Sequence, residues 1–479
     1  MRRKYKNKNK HEKASRPIKV LFINMVNPTS EVENLYPPLG PAYLVAYIKR
    51  HLGTERFIFQ MISDNFENKI TEIHPDIVAI TCVSQNYALA KSLAQFAKRI
   101  GILYVMIGGS HISLYPMSLD LNINIGIVGE GEKTFLELLK LFISKRVFDP
   151  ADLLKINGLV YHQNGEIVIT PHRELISNLD DFPLPDRSLF KIDPNKAYMF
   201  SSRGCPYRCI FCASSRLWER TRFHSADYVL REIKELVEKF GVKKIDFYDD
   251  LFIADKQRVK DLVQLIKKEG IEKKVQFNVS ARANLVNDEI CLLLKEMNVR
   301  GMSMGLESGS SEILTYLKGE NVTVEDNFRA VEIIKKHGLY CSGSFVIGCP
   351  IETRETILET LNFIKKSKLD EFTVYVLTPF PGTPIWDYAV EQKLVSSDPN
   401  EIDWSIIDVE YWRSHKYNIH LAKNLTREEL YGLYLLFARE IKKRNIFRAF
   451  ELLFTDPARF LYHVKKRLTR FFSLFFQAK

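Results

Sequence analysis

The sequence predicts two consecutive α/β units built on parallel sheets, the second a partial (β/α)6 barrel, followed by a helical C-terminal region. Three observations carry this. Between residues 18 and 145 five short Val/Ile/Phe-rich runs alternate with stretches of helical periodicity, and from Ala197 onward a strand-then-helix unit recurs six times. Such alternation reads as parallel sheets with helices packed on their faces. Glycines and polar residues also gather just after the strands, where α/β sheets place their ligands.

In the first unit, Ile18–Met25, Phe57–Ser63, Asp76–Val83, Leu103–Ile107 and Ile123–Val128 are the expected strands, each a short apolar run bounded by turn or helix signals. Leu39–Arg50, Tyr87–Arg99 and Lys133–Lys145 are the expected helices. Residues 18–150 therefore form a Rossmann-like (flavodoxin-like) domain. Residues 151–196 read as a linker, with a hairpin in Gly158–Thr170 turning at Asn164-Gly165. The prolines of Asp180-Asp181-Phe182-Pro183-Leu184-Pro185-Asp186 favour an extended lead-in to the next domain. The barrel spans residues 197–389, with strands expected at Tyr198–Ser202, Lys244–Tyr248, Gln276–Ala281, Gly301–Gly305, Cys341–Ile347 and Glu371–Leu377. Residues 390–479 are helix-rich.

Composition narrows the function classes. A chain of 479 residues, 46% hydrophobic and 27% charged, is that of a globular protein with a sizeable core. No apolar run approaches the roughly 20 residues of a membrane span, and Met1 to Lys19 is a Lys/Arg/Asn stretch without the apolar centre of a secretory leader. The net charge of +11 sits at the two ends, +8 in residues 1–19 and +8 in residues 439–479, leaving the body at −5. Residues 1–17 thus read as a disordered basic tail, and a nucleic-acid groove through the body is not supported. Cys82, Cys291, Cys341 and Cys349 lack paired spacing, which points to a reducing, cytoplasmic setting.

The remaining cysteines carry the chemistry. Gly204-Cys205-Pro206-Tyr207-Arg208-Cys209-Ile210-Phe211-Cys212 places Cys205, Cys209 and Cys212 in CxxxCxxC spacing. Thiolates suit an iron–sulfur cluster or zinc, and three ligands leave a position free where a structural site would close. The segment, including Phe211 before the last cysteine, resembles the radical S-adenosylmethionine (radical SAM) signature. That resemblance implies a 4Fe-4S cluster on the three cysteines whose open iron binds S-adenosyl-L-methionine (SAM), one-electron cleavage to a 5′-deoxyadenosyl radical, and an external reductant such as flavodoxin or ferredoxin.

The strand ends downstream supply candidates to hold SAM. Asp249 and Asp250 follow the second barrel strand, where a carboxylate can accept from the SAM ammonium in place of the Gly-Gly-Glu of many relatives; which of the two does so stays open, as does helix capping by Asp250. Ser280 and Arg282 end the third strand, and an arginine offers a fork for the methionyl carboxylate. Glu307 can accept from the ribose hydroxyls, and Gly348 belongs to the expected adenine-binding edge. Cys341 and Cys349 read as buried hydrophobes.

Upstream, three loops of the first domain contain Ser84, the Gly108-Gly109-Ser110-His111 run and Gly129-Glu130-Gly131. Together with Tyr36-Pro37-Pro38-Leu39-Gly40-Pro41 they resemble the cobalamin-binding domain fused ahead of many radical SAM enzymes. The resemblance implies that Ser84, Gly108, Gly109, Ser110, Gly129, Glu130 and Gly131 contact cobalamin. None of the eleven histidines has an Asp two residues before it, so the Asp-x-His-x-x-Gly cobalt-ligating motif is absent. His111 reads as a loop histidine at the corrin edge or in solvent.

The expected function is a cobalamin-dependent radical SAM methyltransferase acting on an unactivated carbon of a small-molecule or lipid-like substrate. Radical cyclisation, ring contraction or C–C coupling with the same cofactors is the alternative, and a non-catalytic iron–sulfur electron carrier the remote one. The segment Ile446 to Lys479 interleaves phenylalanines with Arg and Lys, a pattern that suits either an anionic membrane surface or docking on the barrel.

Overall fold

The computed structural model describes residues 16–27, 30 and 36–455. Most of the expected basic tail, and residues 456–479 of the aromatic C-terminal segment, lie outside the described residues.

The first domain is built on β1 (Ile18–Asn24), β2 (Phe57–Ile62), β3 (Ile77–Thr81), β4 (Tyr104–Gly108), β5 (Ile125–Ile127), β6 (Leu159–Gln163) and β7 (Glu166–Ile169). They form one sheet in the order β2-β1-β3-β4-β5-β6-β7, the first five strands parallel. That parallel order is the flavodoxin-like one. Successive side chains of a strand face opposite ways, so Leu21 and Ile23 enter one core while Val20 and Phe22 enter the other. With helices on both faces, β1 and β3 need apolar residues on both sides, hence their continuous hydrophobic runs.

Two elements differ from the sequence expectation. The hairpin at Asn164-Gly165 forms, with both residues at positive φ (53° and 85°), but it is no free linker: β6 pairs antiparallel with β5 and the hairpin becomes the sheet edge. The helix Phe66–Ile73 escapes a periodicity reading because Ile70 is its only buried residue. The lead-in beyond the hairpin is also anchored, with Ile176, Leu179 and Phe182 buried in the first domain's core.

The second domain contains β8 (Ala197–Met199), a short antiparallel ribbon of β9 (Ser202–Arg203) and β10 (Arg222–Phe223), then β11 (Lys244–Phe247), β12 (Gln276–Ala281), β13 (Val299–Glu307), β14 (Tyr340–Ile347) and β15 (Glu371–Val376). Six of these make a parallel sheet in the order β15-β14-β13-β12-β11-β8, open between its first and last strands. This is the expected partial (β/α)6 barrel, and its active end is where the strands finish.

The C-terminal region belongs to both domains. Trp386 and Trp404 stack 5.8 Å apart, and Trp404 meets the rings of Tyr87 and His111 edge-on. These residues share one core with Leu21, Val78 and Ile107 of the first sheet. The helix Arg427–Thr455 buries Leu430, Leu433 and Phe437 against the barrel, and Arg444 donates to the carbonyls of Leu369 and Ile364. Among the described residues, no helix is long and apolar enough to cross a membrane.

The chain leaves β14 through a turn held by one carboxylate. Glu352, fully buried, accepts from the backbone N–H groups of Gly348 and Cys349 on the same oxygen, while its other oxygen has no partner. Burial raises the Glu352 pKa to about 7 against the opposing pull of the two N–H groups. A raised carboxyl pKa means that this group's contribution to stability is full below the ordinary Glu value of about 4.3 and is lost as pH rises through 7. Glu352→Gln keeps an acceptor for the turn and removes the titration. Thermal unfolding from pH 4.5 to 8 should then show the wild type losing stability relative to the variant, at up to about 1.4 kcal/mol per pH unit. Parallel curves would disprove the assignment.

Candidate functional site

Cys205, Cys209 and Cys212 lie partly buried on the loop that leaves β9. Gly204 starts it at φ 93°, where an added Cβ would stand 3.0 Å from the Trp218 Cβ and 3.1 Å from the Arg220 carbonyl, so the entry admits only glycine. The loop is laced to itself: Cys212 N–H donates to Cys209 O at 3.2 Å, and Arg208 donates to the carbonyls of Ser215, Trp218 and Glu219. Ile210 N–H donates to Leu317 O at 3.1 Å, tying the loop to the helix after β13, and Phe211 packs in the core shared by both domains. No three His, Cys, Asp or Glu side chains among the described residues converge as the ligands of a single ion would. Three thiolates spread around one loop suit instead the separate corners of a cluster.

Burial, together with the nearby carboxylate of Asp250 and the other two cysteines, pushes the Cys205 thiol up to about 11. A cation faces Cys209. Arg282 stacks on the Tyr207 ring at 3.8 Å and points Nη1 at Cys209 Sγ, 3.5 Å away. Its Nε and Nη2 are buried without a protein partner, and a buried guanidinium with free donors calls for an anionic ligand. The site therefore fits both a cluster and the carboxylate of SAM.

The two aspartates after β11 part company. Asp249 is buried, accepting from Ser201 and Ser202 N–H at 2.6 and 3.1 Å and from the Ser201 hydroxyl, which Arg258 also contacts at 2.8 Å. Its oxygens hold the strand end from which the cysteine loop departs. Asp250 points the other way, onto the wall of the cleft, where Ser214 Oγ lies 2.7 Å from each carboxylate oxygen. Although reached by solvent, it is recessed among protein atoms, and this desolvation raises its pKa. Asp250 does not cap a helix. Ser280 Oγ donates to Asp249 O at 2.8 Å and accepts from Phe252 N–H, so it braces the same turn.

Glu307 ends β13 at φ 61°, a conformation rare for a side-chain-bearing residue, next to a register shift against β14. Its carboxylate folds back over Gly305 and pairs with Lys318 at 3.3 Å, both groups buried. Gly348 follows β14 at φ 84° and is walled by Leu430 and Val376. Cys341 and Cys349 are fully buried with raised pKa values, as expected of hydrophobic cysteines.

A cavity of about 610 Å³ lies between the two sheets. One wall carries Gly108, Gly109, Ser110, Gly129, Glu130 and Gly131, and the opposite wall Gly204, Ala213, Ser214, Tyr248 and Asp250 beside the cysteines. Gly109 has φ 103°, and a Cβ there would collide with Cys82 O at 2.5 Å, whereas at Gly108 and Gly129 nothing lies within 4 Å of an added Cβ. Bare backbone thus faces open space, the cradle that a large planar ligand requires.

Two expectations for this wall need correction, and the environment of a third residue, Glu130, is more specific than expected. Ser84 is not among the cavity residues: it is buried, and its hydroxyl meets His111 Nδ1 at 3.0 Å. His111 reaches neither a corrin edge nor solvent, since its Nε2 meets Ser118 Oγ at 2.9 Å, its ring stacks on Tyr87, and burial lowers its pKa to about 3. Glu130 lines the cavity, but its carboxylate is occupied by Arg203, by Arg222 and by Ile176 N–H, which outweigh burial and hold its pKa below the ordinary value.

Sequence reading missed Arg203, Arg222, Lys318 and Glu352, charged residues that only the packed fold buries, and the stacked pair Tyr36–Tyr248, 4.7 Å apart beside the cavity. Arg203 carried the one usable signal, its position two residues before Cys205.

Comparison with known proteins agrees with this geometry. Residues 199–364 match the radical SAM superfamily and residues 28–139 the B12 binding domain. An uncharacterised methyltransferase of Pyrococcus horikoshii is 35% identical over 79% of this chain and 85% of its own. The anaerobic magnesium-protoporphyrin IX monomethyl ester cyclase of Rubrivivax gelatinosus is 29% identical over 77% of this chain and 69% of its own. The solved structure of the radical SAM methyltransferase TsrM from Kitasatospora setae, with cobalamin and a 4Fe-4S cluster bound, has the same fold, with a TM-score of 0.68 at 17% identity over 87% of this chain and 88% of that one. The chain belongs to the radical SAM superfamily, in the group that carries a B12-binding domain ahead of the barrel, and its cofactors are a 4Fe-4S cluster, SAM and cobalamin.

Proposed function

We propose that the chain is a cobalamin-dependent methyltransferase acting on an unactivated carbon of a small-molecule substrate. The observation that carries this is the single cavity onto which both the glycine loops of the first sheet and the rim of the cysteine loop open. When bound, the cluster and SAM supply a radical able to take hydrogen from a C–H bond, and the corrinoid supplies a carrier for the methyl group.

The chain's own residues do the placing. Cys205, Cys209 and Cys212 hold the cluster. Arg282, with two free donors beside Cys209, takes the SAM carboxylate. Asp250 on the cleft wall accepts from the SAM ammonium, leaving Asp249 and Ser280 to fix the turns from which these groups project. Glu307 and the Gly348-Cys349 turn are committed elsewhere, Glu307 to buried Lys318 and both N–H groups of the turn to Glu352, so neither is assigned a contact with SAM. Gly108, Gly109, Ser110, Gly129 and Gly131 let the corrin approach. Tyr248 and Phe200, stacked 5.3 Å apart at the cavity wall, shield the reacting carbon from water. An external one-electron donor of the flavodoxin or ferredoxin kind completes the cycle. A second reading, radical cyclisation with the same cofactors, is favoured by the likeness to the Rubrivivax cyclase.

Three outcomes follow. With cluster, cobalamin and reductant supplied anaerobically, methyl-labelled SAM should give 5′-deoxyadenosine and S-adenosylhomocysteine together; 5′-deoxyadenosine without S-adenosylhomocysteine selects the cyclase reading, and neither product sinks both. Cys209→Ala should remove cluster absorbance and 5′-deoxyadenosine while corrinoid still binds. Arg282→Lys loses the fork, and SAM binding to the cluster-loaded enzyme should weaken roughly 10- to 100-fold, the worth of a charge-assisted hydrogen bond of about 1.5–3 kcal/mol. Unchanged affinity would remove Arg282 from the carboxylate site.

A further inference from the structure

The cavity's two walls are joined by a buried quartet of charges. Arg203 directs Nη1 to Glu130 at 2.7 Å and Nη2 to Glu132 at 2.7 Å, one prong to each carboxylate. Arg222, its partner on the β9–β10 ribbon, grips Glu130 with two bonds at 3.0 Å and donates to Ile176 O at 2.6 Å. The Arg203 guanidinium lies 4.4 Å from the centre of the Phe182 ring and 5.5 Å from that of Tyr43. The side chains of the quartet are between 3% and 13% exposed.

We propose that Arg203 is a positioning residue that sets the spacing between cobalamin and the iron–sulfur cluster. Glu130 stands between Gly129 and Gly131 on the corrin-facing wall. Arg203 stands two residues before Cys205, separated only by Gly204, whose backbone passes at φ 93° beside Trp218 and the Arg220 carbonyl. A displacement on one side of the quartet is therefore passed to the other. Two carboxylates 2.7 Å from separate nitrogens need a planar fork, which lysine lacks. This proposal rests on the two-cofactor reading above.

The test uses full-length enzyme loaded with cob(II)alamin and a reduced cluster, both paramagnetic, and measures the distance between the two spins by pulsed dipolar EPR. Wild type should give one narrow distribution. Arg203→Lys, which keeps the charge but not the fork, and Glu132→Gln, which keeps the volume but not the charge, should retain both cofactors at wild-type stoichiometry while the distribution shifts or broadens by about 1 Å, and label transfer from methyl-labelled SAM to cobalamin should fall roughly 10²-fold, the cost of such a misplacement. Both variants keeping the wild-type distance would overturn the proposal, and so would loss of either cofactor in both, which marks a general structural role. A wild type that binds only one of the two cofactors would instead overturn the cofactor reading and the positioning role with it.

Discussion

Four charges with almost no contact with water hold two differently built sheets against one space. Glu130 and Glu132 come from the loop and first helical turn after β5, Arg203 and Arg222 from the ribbon that launches the cysteine loop. Burying ions is costly, and the arrangement stands because Glu130 is bonded through both oxygens and each arginine spends two nitrogens on the carboxylates; removing one partner from such a network costs about 3–5 kcal/mol. Hydrophobic packing adds to this elsewhere, through the core that runs from Leu21 and Val78 to Trp386 and Trp404. Packing is tolerant of small slips, however, whereas a fork across two carboxylates is not. The charged contact sets the register and the apolar one supplies most of the adhesion. A second buried pair, Arg187 with Glu232, repeats the device where the lead-in crosses between the domains, with Tyr43 of the first domain donating to the same glutamate.

The fold was legible because its signals are local. A parallel strand buried on both faces must be a continuous apolar run, and the helices between carry a wide apolar stripe, so the five and six strands could be read from residue order alone. What stayed hidden depends on distant partners. Nothing in Gly158–Thr170 states that β6 will pair with β5 and turn a linker into a sheet edge. Nothing in Trp404 states that its ring will meet Tyr87, some 300 residues earlier in the chain. The exposed helix Phe66–Ile73 fails for a different reason: with one buried residue it has no stripe to read.

The site divides in the same way. The cysteines were legible because three ligands fall within eight residues of one loop. Asp249 and Asp250 could not be told apart because adjacent residues at a strand end face opposite sides, a distinction that requires knowing which side is the cleft. Arg282 was placed correctly at the end of β12, but the quality that matters there, two buried donors left without a protein partner, is a property of the packed molecule.

His111 shows how chemistry that is present in sequence can be withdrawn by packing. The short helix Ser110–Leu114 begins at the cavity wall and turns the histidine inward within one residue. There Ser84 and Ser118 occupy its two nitrogens, and Tyr87 and Trp404 enclose the ring. A metal on either nitrogen would have to displace a serine and open that enclosure, and no histidine lines the cavity among the described residues. The first sheet thus offers its ligand bare backbone, Thr81 and Ser110, and apolar side chains such as Val83 and Ile107. Were cobalamin bound there, Gly108, Gly109, Gly129 and Gly131 would meet it with backbone, and the histidine that the sequence places beside them would stay with Ser84 and Ser118.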